Sequence, residues 1–319
     1  MKKQAFIYII VAGMLWGTSG LFVHYLSPFG FSAIQMSCVR GIISFLCMAV
    51  YVLLKDRSLF RVSVVEIIFF LFIGAALFGT ASSYYSSMQL TSVSTAVILM
   101  YTAPVYVTVF SVLFLGEKMS FEKAVSAVMM LVGCCFVSGI IGGMKFDALG
   151  VTLGVLSGLI YAAYNIITKI VLGRKSSPVS TSLYSFLFMS IIAFAVAKPA
   201  EIIEHVSIAP SKTVPLLIGL GICTFVLPYF LYTSAMKDIS AGTASVLSVV
   251  EPMAATVFSV LFLRDGIDIF GNIGIVLILV AVVLLGVAEG KEDKANSEIA
   301  ENEEIPSGER SLVNQGEIK

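Results

Sequence analysis

The sequence predicts an all-α membrane protein with ten transmembrane helices, arranged as two inverted repeats of five helices each. Hydrophobic residues make up 58% of the 319 residues and charged residues 13%, and the mean hydropathy is +0.98. Soluble domains carry about a quarter charged residues, so this composition favours a chain that lies in lipid. The other two observations are a series of long apolar runs and a segment that recurs 148 residues further along the chain.

The apolar runs set the number of predicted helices. Most of them reach the roughly 20 residues that a helix needs to cross about 30 Å of hydrocarbon. Only helices and closed barrels can pair all their backbone groups in hydrocarbon, and continuous runs without alternation exclude a barrel. The ten runs cover residues 5–26, 32–54, 64–85, 93–115, 121–141, 149–172, 179–197, 213–235, 240–263 and 269–288.

The recurring segment divides these runs into two sets of five. Residues 109–115 and 257–263 both read VFSVLFL, and the same offset aligns Pro104 with Pro252. A carboxylate follows the proline thirteen residues later in both copies. The agreement of several positions at one offset indicates a duplicated unit.

The duplication predicts three regions along the chain. The first repeat covers residues 5–141 and the second covers 149–288. Residues 289–319 hold nine acidic and four basic residues and almost no apolar pattern. Such a composition cannot bury enough apolar surface to fold, so we expect a disordered cytoplasmic tail.

Lysine and arginine residues predict the orientation. With the N-terminus in the cytoplasm, the ten spans place thirteen of these residues inside and four outside, as the positive-inside rule requires. Both termini are therefore expected in the cytoplasm. Because five is an odd number, the second repeat enters the membrane from the opposite side, which puts Glu117 inside and Asp265 outside. Inverted repeats are typical of secondary transporters, whose halves rock around a site at the bilayer midplane.

Several segments also resemble a known family. They are WGTSGLF (16–22), SCVRGIISF (37–45), TAPVYVTVFSVLFLGEK (102–118) and VVEPMAATVFSVLFLRD (249–265). In this order and spacing the chain resembles a ten-helix member of the drug/metabolite transporter superfamily with two EamA-type domains, over about residues 5–288. It departs at Arg264-Asp265, where the family commonly has Gly-Glu. The resemblance implies a plasma-membrane carrier, often an exporter of amino acids or related small metabolites.

Two charged residues lie deep within predicted spans. Glu251 is about midway through the ninth span, and Arg40 is several residues inside the second. An ionisable group at this depth is costly unless it is paired or solvated, so it is a functional hypothesis by default. We expect both to contact a solute, with Arg40 as a fixed positive charge for a carboxylate. The structural alternatives are a protonated Glu251 bonded to a neighbouring helix, and Arg40 bound to carbonyl groups or to Glu251.

Polar and aromatic residues at helical spacing predict the wall of a cavity. Tyr161 and Asn165 share one face of the sixth helix, and several aromatic residues lie well inside their spans, away from the membrane interfaces. Ordinary helix packing is the alternative for each of them. The predicted solute-binding residues are Trp16, Arg40, Tyr84, Tyr101, Tyr161, Tyr164, Asn165, Tyr232, Ser248 and Glu251.

Other residues of the sixth span have predicted structural roles. Gly150, Gly154 and Gly158 recur every four residues and should let this helix approach a neighbour closely. Lys169 is close enough to the cytoplasmic end of the span to extend its ammonium group to the interface. In the first span, His24 is expected near the external interface.

The sequence also bears on the energy source. It contains no phosphate-binding loop pattern for ATP, so transport would be downhill, by exchange, or driven by an ion gradient. A carboxyl group at membrane depth can take up a proton on one side and release it on the other, so protons are the candidate coupling ion. We expect no enzyme activity, cofactor, metal or nucleic-acid partner; the partners are a small-molecule solute and the lipid bilayer, and the oligomeric state stays open. The rival functions are an integral-membrane enzyme and a non-transporting sensor or scaffold.

Overall fold

The protein is helical throughout the part of the chain that its structure describes. Within this part the backbone contains helices, short turns and connections, and no strand, which confirms the all-helical prediction. Glu117 and Asp265, the predicted markers of the inversion, lie outside the described residues. A computed structural model describes residues 2–91, 96, 99–116, 120–137, 147–263 and 269–304.

Helix starts in the first half carry strong capping signals. The side chains of Ser32 and Ser63 each accept a hydrogen bond from the backbone N–H three residues later, and the side chains of Gln35 and Glu66 accept one in return. Each capping box satisfies two backbone donors that a helix end leaves free. The elements are α1 (Lys2–Gly17), α2 (Ser19–Leu26), α3 (Ala33–Lys55), α4 (Val64–Leu90), α5 (Ala103–Phe110) and α6 (Phe121–Val137), with 3₁₀ turns at Ser27–Phe29 and Arg57–Phe60 and a π-helical turn at Ser111–Leu115.

Caps and prolines likewise set the helix starts of the second half. The Asp147 side chain accepts a hydrogen bond from the backbone N–H of Gly150, and prolines occupy the first turns of three helices, where no N–H is needed. The elements are α7 (Ala148–Gly173), α8 (Pro178–Val196), α9 (Pro199–Ile208), α10 (Pro210–Gly221), α11 (Leu227–Ala235), α12 (Ala241–Leu247), α13 (Val250–Phe258) and α14 (Ile269–Glu304), with π-helical turns at Ile222–Val226 and Ser259–Leu263.

The lengths of the apolar helices make this a multi-pass membrane protein. In the described part of the chain, seven stretches are long and apolar enough to cross a membrane, and two shorter apolar helices accompany them. The predicted total of ten spans stays a prediction. The seven stretches are Lys2–Phe29, Ala33–Lys55, Val64–Ser87, Ala148–Gly173, Pro178–Val196, Pro210–Ala235 and Ala241–Phe262, and the shorter helices are Ala103–Leu115 and Ile269–Leu285.

Both copies of the repeated heptapeptide have the same irregular backbone. Ser111–Leu115 and Ser259–Leu263 both form a π-helical turn, and each turn continues a short α-helix that contains the shared proline, Pro104 or Pro252. A π-helical turn is rare and depends on local sequence and packing. The repeat seen in the sequence therefore also appears in the local structure.

Helix packing follows a twofold pattern. α1 packs against α11 and α13, and α7 packs in the corresponding way against α4 and α5. Equivalent helices also meet each other, because α3 packs against α8 and α6 packs against α14. Each half therefore completes its packing with helices of the other half, and the space between α1 and α7 lies at the centre.

Two equivalent glycines permit close approaches between these helices. A Cβ atom on Gly13 would lie 3.3 Å from Cβ of Val250, and one on Gly158 would lie 3.0 Å from the carbonyl oxygen of Met100 and 3.2 Å from Oγ1 of Thr102. Thr102 aligns with Val250 at the 148-residue offset, so Gly13 and Gly158 occupy equivalent places. The close approach predicted for Gly158 is confirmed. Pairing Gly13 with Gly158 gives the first helices of the two halves an offset of 145 residues, and this offset makes Trp16 the counterpart of Tyr161.

The connections between helices define two faces of the molecule. Face A carries residues 56–63, 174–177 and 236–240, and it is held together by hydrogen bonds from Ser180 Oγ to the carbonyl oxygen of Leu59 (2.8 Å) and from Tyr184 Oη to that of Phe60 (2.7 Å). Face B carries residues 27–32 and 197–209, where Gln35 Nε2 donates to Glu201 Oε2 at 3.1 Å. On this face the Phe31 and His205 rings meet edge to face at 5.4 Å.

The last helix differs from the prediction for the C-terminal tail. α14 continues to Glu304, so residues 289–304 are helical where the sequence predicts disorder. The segment is rich in Ala, Glu and Lys, which have high intrinsic helix propensity and extend a helix already nucleated by its apolar part. Residues 305–319 lie outside the described residues.

Candidate functional site

A cavity of about 470 Å³ lies among the helices of both halves. The residues that line it lie near the middle of their helices or closer to face B. Val23, Tyr85 and Thr256 are lining residues on the face B side. The cavity therefore extends from mid-depth toward face B. Seven of the ten predicted site residues line it: Trp16, Arg40, Tyr84, Tyr101, Tyr161, Ser248 and Glu251.

The two deep charges face the same cavity. Arg40 projects from α3 in the first half, and its guanidinium carbon lies 4.9 Å from the centre of the Phe225 ring. Glu251 is in the first turn of α13 in the second half. Its carboxyl group lies next to the hydroxyl of Tyr101 and within electrostatic range of Arg40. The cavity thus holds one cationic and one acidic group, each supplied by a different half of the chain.

Several donors in the cavity wall have no protein partner. Nε1 of Trp16, Nε of Arg40 and Oγ1 of Thr80 are buried and find no acceptor among the described residues. Buried donors are normally satisfied, and each one left without a partner is destabilising. Water or a bound molecule with acceptor atoms would satisfy all three. The wall is therefore suited to a carboxylate or another group rich in oxygen acceptors.

Aromatic rings form much of the remaining wall. The Trp16 and Tyr229 rings meet edge to face at 5.0 Å, and Tyr229 also contacts the ring of Phe225 at 4.5 Å. Rings in such arrangements make a rigid apolar surface. Tyr229 was not among the predicted site residues; its place one turn before Tyr232 is the only sequence signal for it. Other lining residues outside the prediction are Thr80, Tyr85, Thr224 and Thr256.

Three predicted site residues lie behind the cavity wall. Tyr164, Asn165 and Tyr232 are 2%, 0% and 0% exposed and do not line the cavity. Asn165 donates a hydrogen bond from Nδ2 to the carbonyl oxygen of Tyr161 (2.8 Å) and accepts one from the Tyr232 hydroxyl. These side chains pack between α7 and α11 on the face A side. The prediction that they surround the cavity is corrected, because the helices turn these positions toward each other.

Lys169 extends its ammonium group to the connection after α11 on face A. Its ammonium group donates hydrogen bonds to the carbonyl oxygens of Met236 (2.6 Å) and Ile239 (2.5 Å). These carbonyls belong to the turn after α11, where the end of a helix leaves carbonyl groups free. His24 lies near face B, and its ring meets the adjacent Tyr25 ring edge to face at 5.2 Å.

The described ranges contain no group of three or more His, Cys, Asp or Glu side chains that could hold a metal ion. The polar groups that converge in the cavity are a guanidinium group, a carboxyl group, hydroxyls and an indole N–H. They can bind a small polar molecule and exchange a proton with it or with water.

Comparison with known proteins gives a family match over nearly the whole helical part of the chain. The model described as "EamA-like transporter family" matches residues 3–139 and again 148–287. The first match falls within the first predicted repeat and the second match within the second, apart from one or two residues at the ends. The family match and the predicted duplication therefore divide the chain at the same place.

Individual relatives are described as uncharacterized transporters. An uncharacterized transporter of Archaeoglobus fulgidus is 24% identical over 86% of this chain and 94% of its own length. The uncharacterized transporter YwfM of Bacillus subtilis is 20% identical over 91% and 96%. The uncharacterized inner membrane transporter YhbE of Escherichia coli is 28% identical over 63% and 64%. A solved crystal structure matches the fold with a TM-score of 0.76 at 18% identity, over 90% of this chain and 98% of that one.

Proposed function

This chain belongs to the EamA-like transporter family, and we propose that it is a secondary transporter that exports small metabolites such as amino acids across the plasma membrane. The observation that carries the proposal is the cavity, which brings Arg40 and Glu251 together within an aromatic wall. A carrier needs polar groups that converge at mid-depth and are reached from one side at a time. The extension of the cavity from mid-depth toward face B and the buried side chains of Tyr164, Asn165 and Tyr232 toward face A fit that requirement.

The proposed architecture has ten spans in two inverted five-helix repeats, 5–141 and 149–288, with both termini in the cytoplasm. Its support is the twofold packing pattern and the equal placement of Gly13 and Gly158. In this orientation face A is cytoplasmic and face B is external. The cavity of the described conformation then faces outward.

The proposed solute is a small amphipathic molecule with a carboxylate. The free donors of Trp16, Arg40 and Thr80 would bind the carboxylate, and the rings of Trp16 and Tyr229 would cover its apolar part. Glu251 would bind an amino group or carry the coupling proton. Tyr84, Tyr101, Tyr161 and Ser248 complete the proposed binding surface.

Purified protein in proteoliposomes tests this function. A panel of radiolabelled amino acids is screened for uptake driven by an imposed pH gradient and for exchange against the unlabelled amino acid. We expect Glu251→Gln to lose at least about tenfold of the gradient-driven accumulation while exchange survives, because glutamine cannot carry a proton. Thr152→Val, a hydroxyl removed from an exposed position of α7, is the matched control and should keep both activities.

The outcomes separate the alternatives. Accumulation that persists in Glu251→Gln at the parental level would show that Glu251 is structural and that the carrier is a uniporter or couples elsewhere. If no amino acid of the panel is transported and thermal shift detects binding of none of them, the result would favour a sensor, a scaffold or an enzyme over this transporter.

A further inference from the structure

The layer that closes the cavity toward face A differs from its counterpart toward face B. In the second half, the Tyr232 hydroxyl donates to the side chain of Asn165, which joins α11 to α7. Both side chains are fully buried. One helical turn further toward face A, Lys169 joins α7 to the turn after α11 through two backbone carbonyls. Two polar contacts thus tie the same pair of helices together.

The repeat identifies the corresponding positions of the first half. The offset of 148 aligns Tyr84 with Tyr232, and the alignment of Gly13 with Gly158 places Gly20 opposite Asn165 and His24 opposite Lys169. A Cβ atom on Gly20 would meet nothing within 4 Å. The tyrosine is therefore present in both halves, but its partner side chain is present only in the second.

We infer that Asn165, Tyr232 and Lys169 form a lock that holds face A closed, and that Gly20 leaves face B without an equivalent lock. The inference rests on the proposed function only in that closing and opening of the two faces alternate. The cavity is lined by α1 and α2 on one side and by α4 on another. In an inverted repeat, opening face A requires α7 and α11 to move apart so that the cavity extends between them in the same way. That movement breaks the lock, and the alternative state gains no equivalent contact. The lock therefore biases the empty protein toward the state that is open at face B.

Two equivalent positions report which face is open. Val23 lines the cavity on the face B side, and its counterpart Thr168 is fully buried on the face A side. Cysteine at either position, in the purified protein without solute, is labelled with a polar maleimide and quantified by mass spectrometry, so the native cysteines stay in place. Native Cys38 is fully buried and reports unfolding. In the parent we expect Val23→Cys to be labelled much faster than Thr168→Cys.

Removing the lock should redistribute the labelling. Tyr232→Phe deletes one hydroxyl and should raise labelling of Thr168→Cys about five- to tenfold, the range expected for the loss of one buried hydrogen bond. Lys169→Met deletes an ammonium group that donates two hydrogen bonds and should raise this labelling at least as much. Thr152→Val removes a hydroxyl whose hydrogen bond stays within α7, to the Ala148 carbonyl, and should leave both reporters unchanged.

A lock added on the opposite side gives an independent test. Gly20→Asn offers Tyr84 the partner that Tyr232 already has, and should lower labelling of Val23→Cys while raising that of Thr168→Cys. Gly20→Leu has similar volume without the hydrogen-bonding group and controls for simple obstruction of the cavity; it should lower the first without raising the second.

The inference is overturned if Tyr232→Phe and Lys169→Met match Thr152→Val within twofold, or if parental Thr168→Cys is labelled as fast as Val23→Cys. Should a variant raise Cys38 labelling in parallel, it unfolds, and Gly20→Asn alone decides. Because the labelling requires no solute, a negative result leaves the transport proposal intact, and absent flux leaves the lock intact.

Discussion

The two halves of this protein share a helical plan and differ in where they place charge. α5 and α13 both carry the shared proline and end in the same π-helical turn. The residue before the proline is Ala103 in the first half and Glu251 in the second. In contrast, Arg40 lies on α3 of the first half, and α8, the equivalent helix of the second half, has no charged residue. A duplicated scaffold has therefore been made asymmetric at the cavity.

This asymmetry has a physical consequence. Because the cationic and acidic groups belong to different halves, any movement of one half against the other changes the distance between them. The interaction of two charges depends steeply on distance and on the exclusion of water. A solute or proton that neutralises one charge therefore changes the balance between conformations. If both charges lay in one half, neutralising one of them would not have this effect.

The largest expected effect concerns the arginine. Arg40→Leu should weaken transport of a carboxylate solute about 10- to 100-fold, because charge-assisted hydrogen bonds are lost from a buried site. Arg174→Leu is the matched control, since Arg174 also lies over a ring, Phe69, at 5.1 Å, but near face A. Concentration dependence of uptake in proteoliposomes measures both. Equal losses in the two variants would mean that Arg40 acts only through packing.

A moderate effect is expected from the equivalent glycines. Gly158→Ala places a methyl group against backbone oxygen of Met100, which cannot move aside, and should cost about 1–3 kcal/mol of stability. Gly13→Ala meets a valine side chain at 3.3 Å and should cost clearly less. Thermal unfolding of the purified variants compares them. A reversed order would show that the two helix contacts are not equivalent.

The smallest effect is expected at the connections. Hydrogen bonding to Lys198 lowers the pKa of Glu201 on face B from its ordinary 4.5, and hydrogen bonds from Ser58 lower the pKa of Asp56 on face A. A carboxyl with a lowered folded-state pKa adds stability above its ordinary pKa, and that stability is lost as the pH falls through the folded-state value. Both groups are exposed, so the contributions are small.

Thermal unfolding against pH measures this effect. Glu201→Gln should lower the unfolding midpoint by about 1 °C at pH 7 and should match the parent well below pH 4.5. Asp56→Asn should behave alike. A difference that grows as the pH falls would contradict the sign of the pKa shift.

Much of the fold could be predicted from the sequence. Apolar runs predicted most boundaries of the long helices to within a few residues, because hydrophobicity along the chain depends on nearby residues alone. The C-terminal tail is the exception: low apolar content predicted disorder, whereas α14 continues to Glu304 on helix propensity. The charged pair Arg40 and Glu251 could be found because ionisable residues at that depth are rare.

Only the tertiary structure decided which aromatic side chains reach the cavity. A 3.6-residue period tells which positions share a face, but not how that face is rotated against its neighbours. Ile222–Val226 forms a π-helical turn, which changes the phase between α10 and α11, so the period cannot be carried across it. As a result Tyr229 lines the cavity while Tyr232 turns inward to Asn165. The sequence by itself determined the long apolar helices, the recurring segment and the deep charges. The packing of the helices decided which tyrosines form the wall and which form the proposed lock, because that depends on contacts between residues far apart in the chain.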